Sequence, residues 1–263
     1  MKSTSDNTWI DRMDAHGDGD TWSVGSGNYD RIIQDELNSD RPGKWQKKIL
    51  SQVDSSQPLE ILDIGCGPGF FTIVLGQLGH KMTAIDGADG MLEKAVKNIK
   101  ASRVKADIFK MDCQKLDFPD NTFDLVVSRN VTHALQDHPG AYAEWKRVLK
   151  PGGVLLIFDA NWHLTGLPGP LREQYKKDWA ECIRRFGSDF NGHTDPDVTL
   201  ESFEPESAHL LGDLLRPDWD LGILAALGYR EITTERNIIK EMWDEKEQLI
   251  YGTTPMFMIR AVK

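Results

Sequence analysis

The chain has 263 residues, with 41 acidic against 31 basic side chains and a net charge of −10. That length suits one large domain, or one domain carrying an insertion, since domains run ~50–250 residues. A composition of 40% hydrophobic and 27% charged residues is that of a folded globular chain, and its acidic balance argues against a general nucleic-acid binder, which needs a basic footprint.

Residues 1–58 read as an N-terminal helical lid. The segment is mostly polar, with Trp9, Trp22, Tyr29 and Trp45 scattered through it. Ile32, Ile33, Glu36 and Leu37 place a helix over Tyr29–Leu37, and a second follows over Gly43–Val53 after Pro42. Residues 59–159 then alternate strand and helix. Leu59–Ile64, Lys81–Asp86, Val104–Met111, Phe123–Ser128 and Val154–Phe158 are apolar runs of strand length. Between them, helices are predicted at Phe70–Leu78, Asp89–Lys100 and Ala141–Lys150, the last stopped by Pro151-Gly152-Gly153. Strands alternating with helices at this spacing mean βαβ units and a mainly parallel sheet.

Residues 160–216 break the rhythm and read as a substrate cap inserted over the carboxyl edge of the sheet, with one helix at Leu171–Phe186. Trp162, Trp179, Trp219 and Trp243, half of the chain's eight tryptophans, fall in or after this cap and suggest an apolar or cation-binding pocket. Residues 217–263 close the same domain with a helix at Asp218–Leu227 and strands at about Arg230–Lys240 and Met256–Val262.

Several classes are disfavoured. No stretch approaches the ~18 consecutive apolar residues of a bilayer span. The polar start Met1–Asp20 lacks the apolar core of a secretory signal. Cys66, Cys113 and Cys182 are odd in number and far apart, which fits neither a zinc knuckle nor a disulfide framework. The expected compartment is a reducing cytoplasm. His16-Gly17-Asp18-Gly19-Asp20 mimics a calcium loop without its full pattern, so no metal is expected.

The informative segment is Ile61-Leu62-Asp63-Ile64-Gly65-Cys66-Gly67-Pro68-Gly69. A buried strand delivers an acid and then glycines at alternate positions, which permit close backbone approach to a ligand at the following helix N-terminus. Asp86 ends the second strand, 21 residues beyond Gly65, where a carboxylate suits a ribose diol. A dinucleotide fingerprint wants Gly or Ala where this chain has Phe70, which lowers the hydride-transfer reading.

These residues resemble the class I S-adenosylmethionine-dependent methyltransferases, in particular the small-molecule group that includes the quinone-biosynthesis C-methyltransferases. Leu62–Gly69 is similar to that family's first motif, and Asp86-Gly87-Ala88-Asp89-Gly90-Met91-Leu92 to its second, with Ala88 in place of the usual Ser. Met111-Asp112-Cys113 through Pro119 looks like the third, Phe123–Arg129 like the fourth, and Trp145–Gly153 like the turn into the fifth strand. The resemblance is strong over about residues 59–160. It implies an α/β, Rossmann-like, doubly wound mixed seven-stranded sheet, mainly parallel with the last strand antiparallel.

It also implies roles. Gly65, Cys66 and Gly67 would pass the amino-acid end of the donor, and Asp63 would organise that loop or meet the donor's ammonium through water. Asp86, beside Gly87, would hold the ribose. Met91 would pack on the adenine, with Asp112 accepting from its amino group and Cys113 offering a backbone N–H. Arg129 and Asn130 would line the sulfonium end, and Tyr29 would close over the donor. Methyl transfer by in-line displacement needs mainly positioning and exclusion of water. Where a base is needed, His133 is the first candidate and Asp159 the second; one of Asp159, Asn161 and His163 is expected to meet substrate. Ser128-Arg129-Asn130-Val131 replaces the N/D-P-P-Y of nucleic-acid amino methyltransferases, so a small-molecule acceptor is expected and no nucleic acid. A nicotinamide oxidoreductase and a non-catalytic donor-binding protein remain the alternatives.

Overall fold

A computed structural model describes residues 19–165, 167–188, 211 and 214–263. Trp9, residues 16–18 of the calcium-like stretch and much of the expected cap, 189–210, lie outside the described residues. The strands are β1 (Glu60–Ile64), β2 (Lys81–Asp86), β3 (Ala106–Lys110), β4 (Phe123–Arg129), β5 (Leu149–Asp159), β6 (Arg230–Glu235) and β7 (Phe257–Val262). The helices are α1 (Gly19–Leu37), α2 (Arg41–Leu50), α3 (Phe70–Gly76), α4 (Asp89–Ala101), α5 (His138–Val148), α6 (Pro170–Phe186), α7 (Asp218–Ala226), α8 (Ile239–Met242) and α9 (Glu245–Ile250).

The strands form one seven-stranded sheet in the order β3-β2-β1-β4-β5-β7-β6. β7 runs antiparallel to both its neighbours, and the pairs from β3 to β5 are parallel. The sheet is the expected α/β doubly wound arrangement. Its central strands are mostly apolar and buried because both faces are covered. On one face Trp45 of α2 meets Phe71 of α3 and Phe158 of β5 edge-on, each at 5.0 Å between ring centroids. On the other, Tyr142 and Trp145 of α5 pack with Leu224 of α7 against Leu62, Val126 and Leu155. Burying such side chains contributes roughly 1.5–3 kcal/mol each.

Strand order reverses between β1 and β4, so their carboxyl ends diverge and leave a crevice, the usual ligand position in open α/β sheets. Register aligns the exits: Ile64 lies beside Ile85 and Ser128, and Asp86 beside Lys110.

Four boundaries differ from expectation in ways that bear on the site. The helix expected over 141–150 starts earlier, because Asp137 caps it by accepting from Gly140 N at 2.9 Å. It ends at Val148, because Leu149 already pairs with Phe123 and carries Pro151-Gly152-Gly153 into an irregular start of β5. The strand expected to reach Lys240 stops at Glu235, and two short helices follow. The second of these opens on a capping box, Asp244 with Glu247. Finally, α1 begins ten residues before Tyr29.

Candidate active site

A cavity of about 470 Å³ opens at the crevice. Its walls come from the exits of β1 (Gly65, Gly67), β2 (Asp86, Gly87, Ala88), β3 (Lys110 to Gln114) and β4 (Arg129, Asn130, Val131). Met91 of α4 and Trp22 and Tyr29 of α1 complete it.

The first turn is shaped for close approach. Gly65 has φ +63°, and a Cβ there would lie 2.3 Å from Val131 Cγ2. No L side chain fits that position without displacing the wall. Asp63 does not reach the cavity. It is buried behind the turn, where Oδ2 accepts from Thr72 N at 2.9 Å and Thr72 Oγ1 at 2.7 Å, pinning the start of α3. Burial pushes its carboxyl up to about 6. The Cys66 side chain also turns inward, among Ile73, Ala84, Ala95 and Ile99, and its N–H donates to Ile85 O.

Asp86 is fixed by two backbone donors, Gly67 N to Oδ2 and Ala88 N to Oδ1, both at 2.9 Å. Each oxygen keeps a lone pair for a ligand, and burial raises its carboxyl above the ordinary value. Asp112 accepts from Gln114 N at 2.9 Å. Burial, aided by Asp112, pushes the Cys113 thiol up to about 12, and burial raises Cys66 as well. Neither is a thiolate nucleophile at neutral pH.

Arg129 is a largely buried cation held by one carboxylate and an aromatic ring. Its guanidinium lies 4.4 Å from the Phe70 ring centroid and donates to Glu36 Oε1 at 2.7 Å. Glu36 Oε1 also accepts from Trp45 Nε1 at 2.9 Å. Phe70, the residue that departs from a dinucleotide fingerprint, is thus the platform for Arg129. The Glu36 carboxylate cancels the charge of Arg129, and Asp86 and Asp112 leave the cavity wall acidic, a setting suited to a cationic ligand. Asn130, at φ +55°, carries a buried side-chain oxygen with no partner among the described residues, an acceptor available to a ligand N–H.

Helix α1 is tied across this site. Ser23 Oγ accepts from Gly90 N at 3.1 Å, and Asp30 accepts from Asn98 Nδ2 at 2.7 Å. Burial raises the Tyr29 hydroxyl, against the lowering effect of Arg129.

The structure therefore gathers Tyr29, Gly65, Gly67, Asp86, Gly87, Met91, Asp112, Cys113, Arg129 and Asn130 around one space, and leaves Asp63 and Cys66 behind its wall. Sequence reasoning missed Trp22 and Lys110. Trp22 sits two helical turns before Tyr29 on the same face, and Lys110 is the register partner of Asp86.

Of the residues expected beyond β5, Asp159 and His163 are closed off from the surface and Asn161 is half-buried. Asp159 is fully buried, and Oδ1 and Oδ2 accept from His133 N, Ala160 N, Trp162 Nε1 and Thr132 Oγ1. Asn161 bonds both ways to the Arg216 backbone, and His163 is 1% exposed. A carboxylate so saturated is no general base. His133 remains partly exposed, with Nδ1 3.1 Å from Asp159 Oδ1. Among the described residues the four later tryptophans fall into three separate clusters. Trp162 and Trp243 pack with Tyr251, Trp179 packs with Cys182 and Ile250, and Trp219 lies on His138.

Comparison with known proteins agrees with this geometry. Residues 62–157 match the model of the methyltransferase domain family. A Staphylococcus aureus demethylmenaquinone methyltransferase is 31% identical over 140 residues, covering 52% of this chain and 57% of that protein. Phosphoethanolamine N-methyltransferase 3 of Arabidopsis thaliana is 28% identical over 138 residues, covering 52% and 28%. The match thus spans little more than half of the first relative and less than a third of the second. A crystal structure of a Methanococcus maripaludis protein, assigned to the S-adenosyl-L-methionine-dependent methyltransferases, superposes with TM-score 0.60 at 21% identity over 94% of each chain. The fold is therefore the one that the Methanococcus maripaludis structure has, a Rossmann-like α/β sheet, and residues 62–157 are the part of the chain that matches the methyltransferase domain family.

Proposed function

We propose that the chain transfers a methyl group from S-adenosylmethionine to a small-molecule acceptor. The observation that carries this reading is the single cavity into which Gly65, Gly67, Asp86, Met91 and Asp112 converge. Asp86 would hold the ribose hydroxyls, Met91 and Trp22 would sandwich the adenine edge, and Asp112 would accept from the adenine amino group. Asn130 Oδ1 and the acidic wall would receive the donor's ammonium end. The donor, when bound, supplies an electrophilic methyl already activated by its positive sulfur. The protein's part is to position the partners and exclude water. Tyr29 and Trp22 would make α1 the cover over that space, which supports a lid role for residues 1–58.

A small acceptor fits the net charge of −10, and the two relatives are named for acceptors of that kind, demethylmenaquinone and phosphoethanolamine. No described helix is long and apolar enough to cross a membrane; the cytoplasmic setting rests on Cys66, Cys113 and Cys182 being odd in number and far apart in the sequence. The test is transfer of tritiated methyl from S-adenosylmethionine into metabolite extracts, with and without nuclease treatment. Label in nuclease-resistant small molecules is expected. Label that disappears with nuclease treatment would overturn the small-molecule reading.

A further inference from the structure

Behind His133 lies a buried charge network that the donor cavity does not use. Asp159, at the end of β5, has no solvent contact. Its Oδ2 accepts from Thr132 Oγ1 at 2.5 Å and from His133 N at 2.9 Å, and its Oδ1 faces His133 Nδ1 at 3.1 Å. Arg216, just before α7, is equally buried. Its Nη1 stands 3.5 Å from Asp159 Oδ2, and its Nη2 donates to Thr132 Oγ1 at 2.5 Å. Nε and Nη2 grip Asp220 of α7 at 2.8 and 2.9 Å, and Asp220 in turn accepts from Tyr142 Oη.

The cluster holds one guanidinium against two carboxylates. Asp220 takes the direct bonds of Arg216, and Asp159 is left facing the His133 imidazole across this cluster. The other groups facing it, His138 of α5 and His163 after β5, are held neutral by burial and by Arg216. Against burial, the charge interaction and hydrogen bond of His133, then the Arg216 charge and the Thr132 hydroxyl, keep the Asp159 carboxyl below its ordinary value. An ionised Asp159 accepts a proton-bearing Nδ1, which leaves the other ring nitrogen, Nε2, as a lone pair with no protein partner among the described residues. His133 rides on the turn whose neighbours Val131 and Ala134 line the donor cavity.

We propose that His133 is the proton acceptor of the transfer reaction, with Asp159 and Arg216 as positioning residues that hold its imidazole as the Nδ1–H tautomer. This rests on the methyl-transfer reading above. The acceptor is then one that must lose a proton, such as a phenol, an enol or an ammonium. Its X–H bond breaks and the proton goes to Nε2. The pair left on X forms the bond to the methyl carbon, the carbon–sulfur bond breaks with its electrons on sulfur, and the proton is later lost to water. The arrangement resembles that by which a buried carboxylate orients a histidine base elsewhere.

The test has two readouts on the full chain. Long-range proton–nitrogen correlation spectra with nitrogen-15 histidine report the tautomer without any donor. His133 is expected as Nδ1–H in the unmodified chain and as a tautomer mixture in Asp159→Asn. Arg216→Met is expected to give a tautomer mixture as well, and Arg216→Lys to restore the Nδ1–H form. The second readout is tritiated-methyl transfer into the metabolite extract. His133→Asn should lower it by roughly 10²–10⁴-fold, the usual worth of a general base, with S-adenosylmethionine affinity by calorimetry held within about threefold. An Nε2–H tautomer in the unmodified chain, or transfer by His133→Asn within about threefold of the unmodified rate, would overturn the proposal. Absence of donor binding in every variant would instead sink the methyl-transfer reading, leaving the tautomer result to stand by itself.

Discussion

Replacing Asp86 by alanine probes the ribose assignment directly. Its carboxylate accepts from Gly67 N and Ala88 N, both at 2.9 Å, and keeps one lone pair on each oxygen for a diol. A hydrogen bond to a charged group contributes about 1.5–3 kcal/mol, so two would give roughly 3–6 kcal/mol. Water entering the space left by the side chain recovers part of that. The expected loss is therefore about 3–4 kcal/mol, or roughly 10²–10³-fold in affinity for S-adenosylmethionine. Isothermal calorimetry of the variant beside the unmodified chain reads it. Because alanine also frees the Gly67 and Ala88 donors, urea unfolding of both proteins checks that the turn survives. Asp86→Asn keeps an acceptor and should fall between the two. A variant that unfolds cooperatively at nearly the same midpoint and binds the donor within about threefold of the original would refute the assignment.

Three further outcomes follow from the same geometry. Glu36→Ala strands the buried Arg129 guanidinium and removes the acceptor of Trp45 Nε1; urea denaturation should show a loss of about 3–5 kcal/mol. Gly65→Ala forces a left-handed residue and drives a Cβ to 2.3 Å from Val131 Cγ2; strain of at least ~1 kcal/mol plus the clash should lower the thermal midpoint and weaken donor binding by roughly tenfold or more. Asp63 binds its proton more tightly folded, at about 6, than at the ordinary 3.8. The folded state therefore holds the extra proton between those values, and stability falls as pH rises through that window, by at most ~3 kcal/mol. Asp63→Asn should abolish that slope in urea midpoints taken across the window.

The glycine turn, Asp86 and the acidic exit of β3 were legible in the sequence because each is local: a few residues whose backbone needs or register position follow from the strand that delivers them. The α/β alternation was legible for the same reason, since buried strands and amphipathic helices announce their own periods. The start of α1 was not, because Gly25, Gly27 and several polar residues hide a helix whose stability comes from packing across α4 through Ser23 and Asp30. The start of β5 was obscured by Pro151-Gly152-Gly153, which reads as a stop but sits inside a strand whose first residue pairs with Phe123. The Arg216–Asp159 network was out of reach altogether. Its partners come from β5, the turn after β4, α5 and α7, and nothing local marks Asp159 as buried rather than exposed at a strand end. The departure of Phe70 from a dinucleotide pattern was visible, whereas its use as a platform for Arg129 needed the fold.

The central claim is that the cavity between β1 and β4 accepts S-adenosylmethionine. Calorimetric titration of the full chain with S-adenosylmethionine, with NADH in parallel, tests it most directly. The account predicts one site with a dissociation constant near the micromolar range, about −8 kcal/mol, and no heat of binding with NADH. Binding of NADH in that range, or no binding of S-adenosylmethionine, would contradict it.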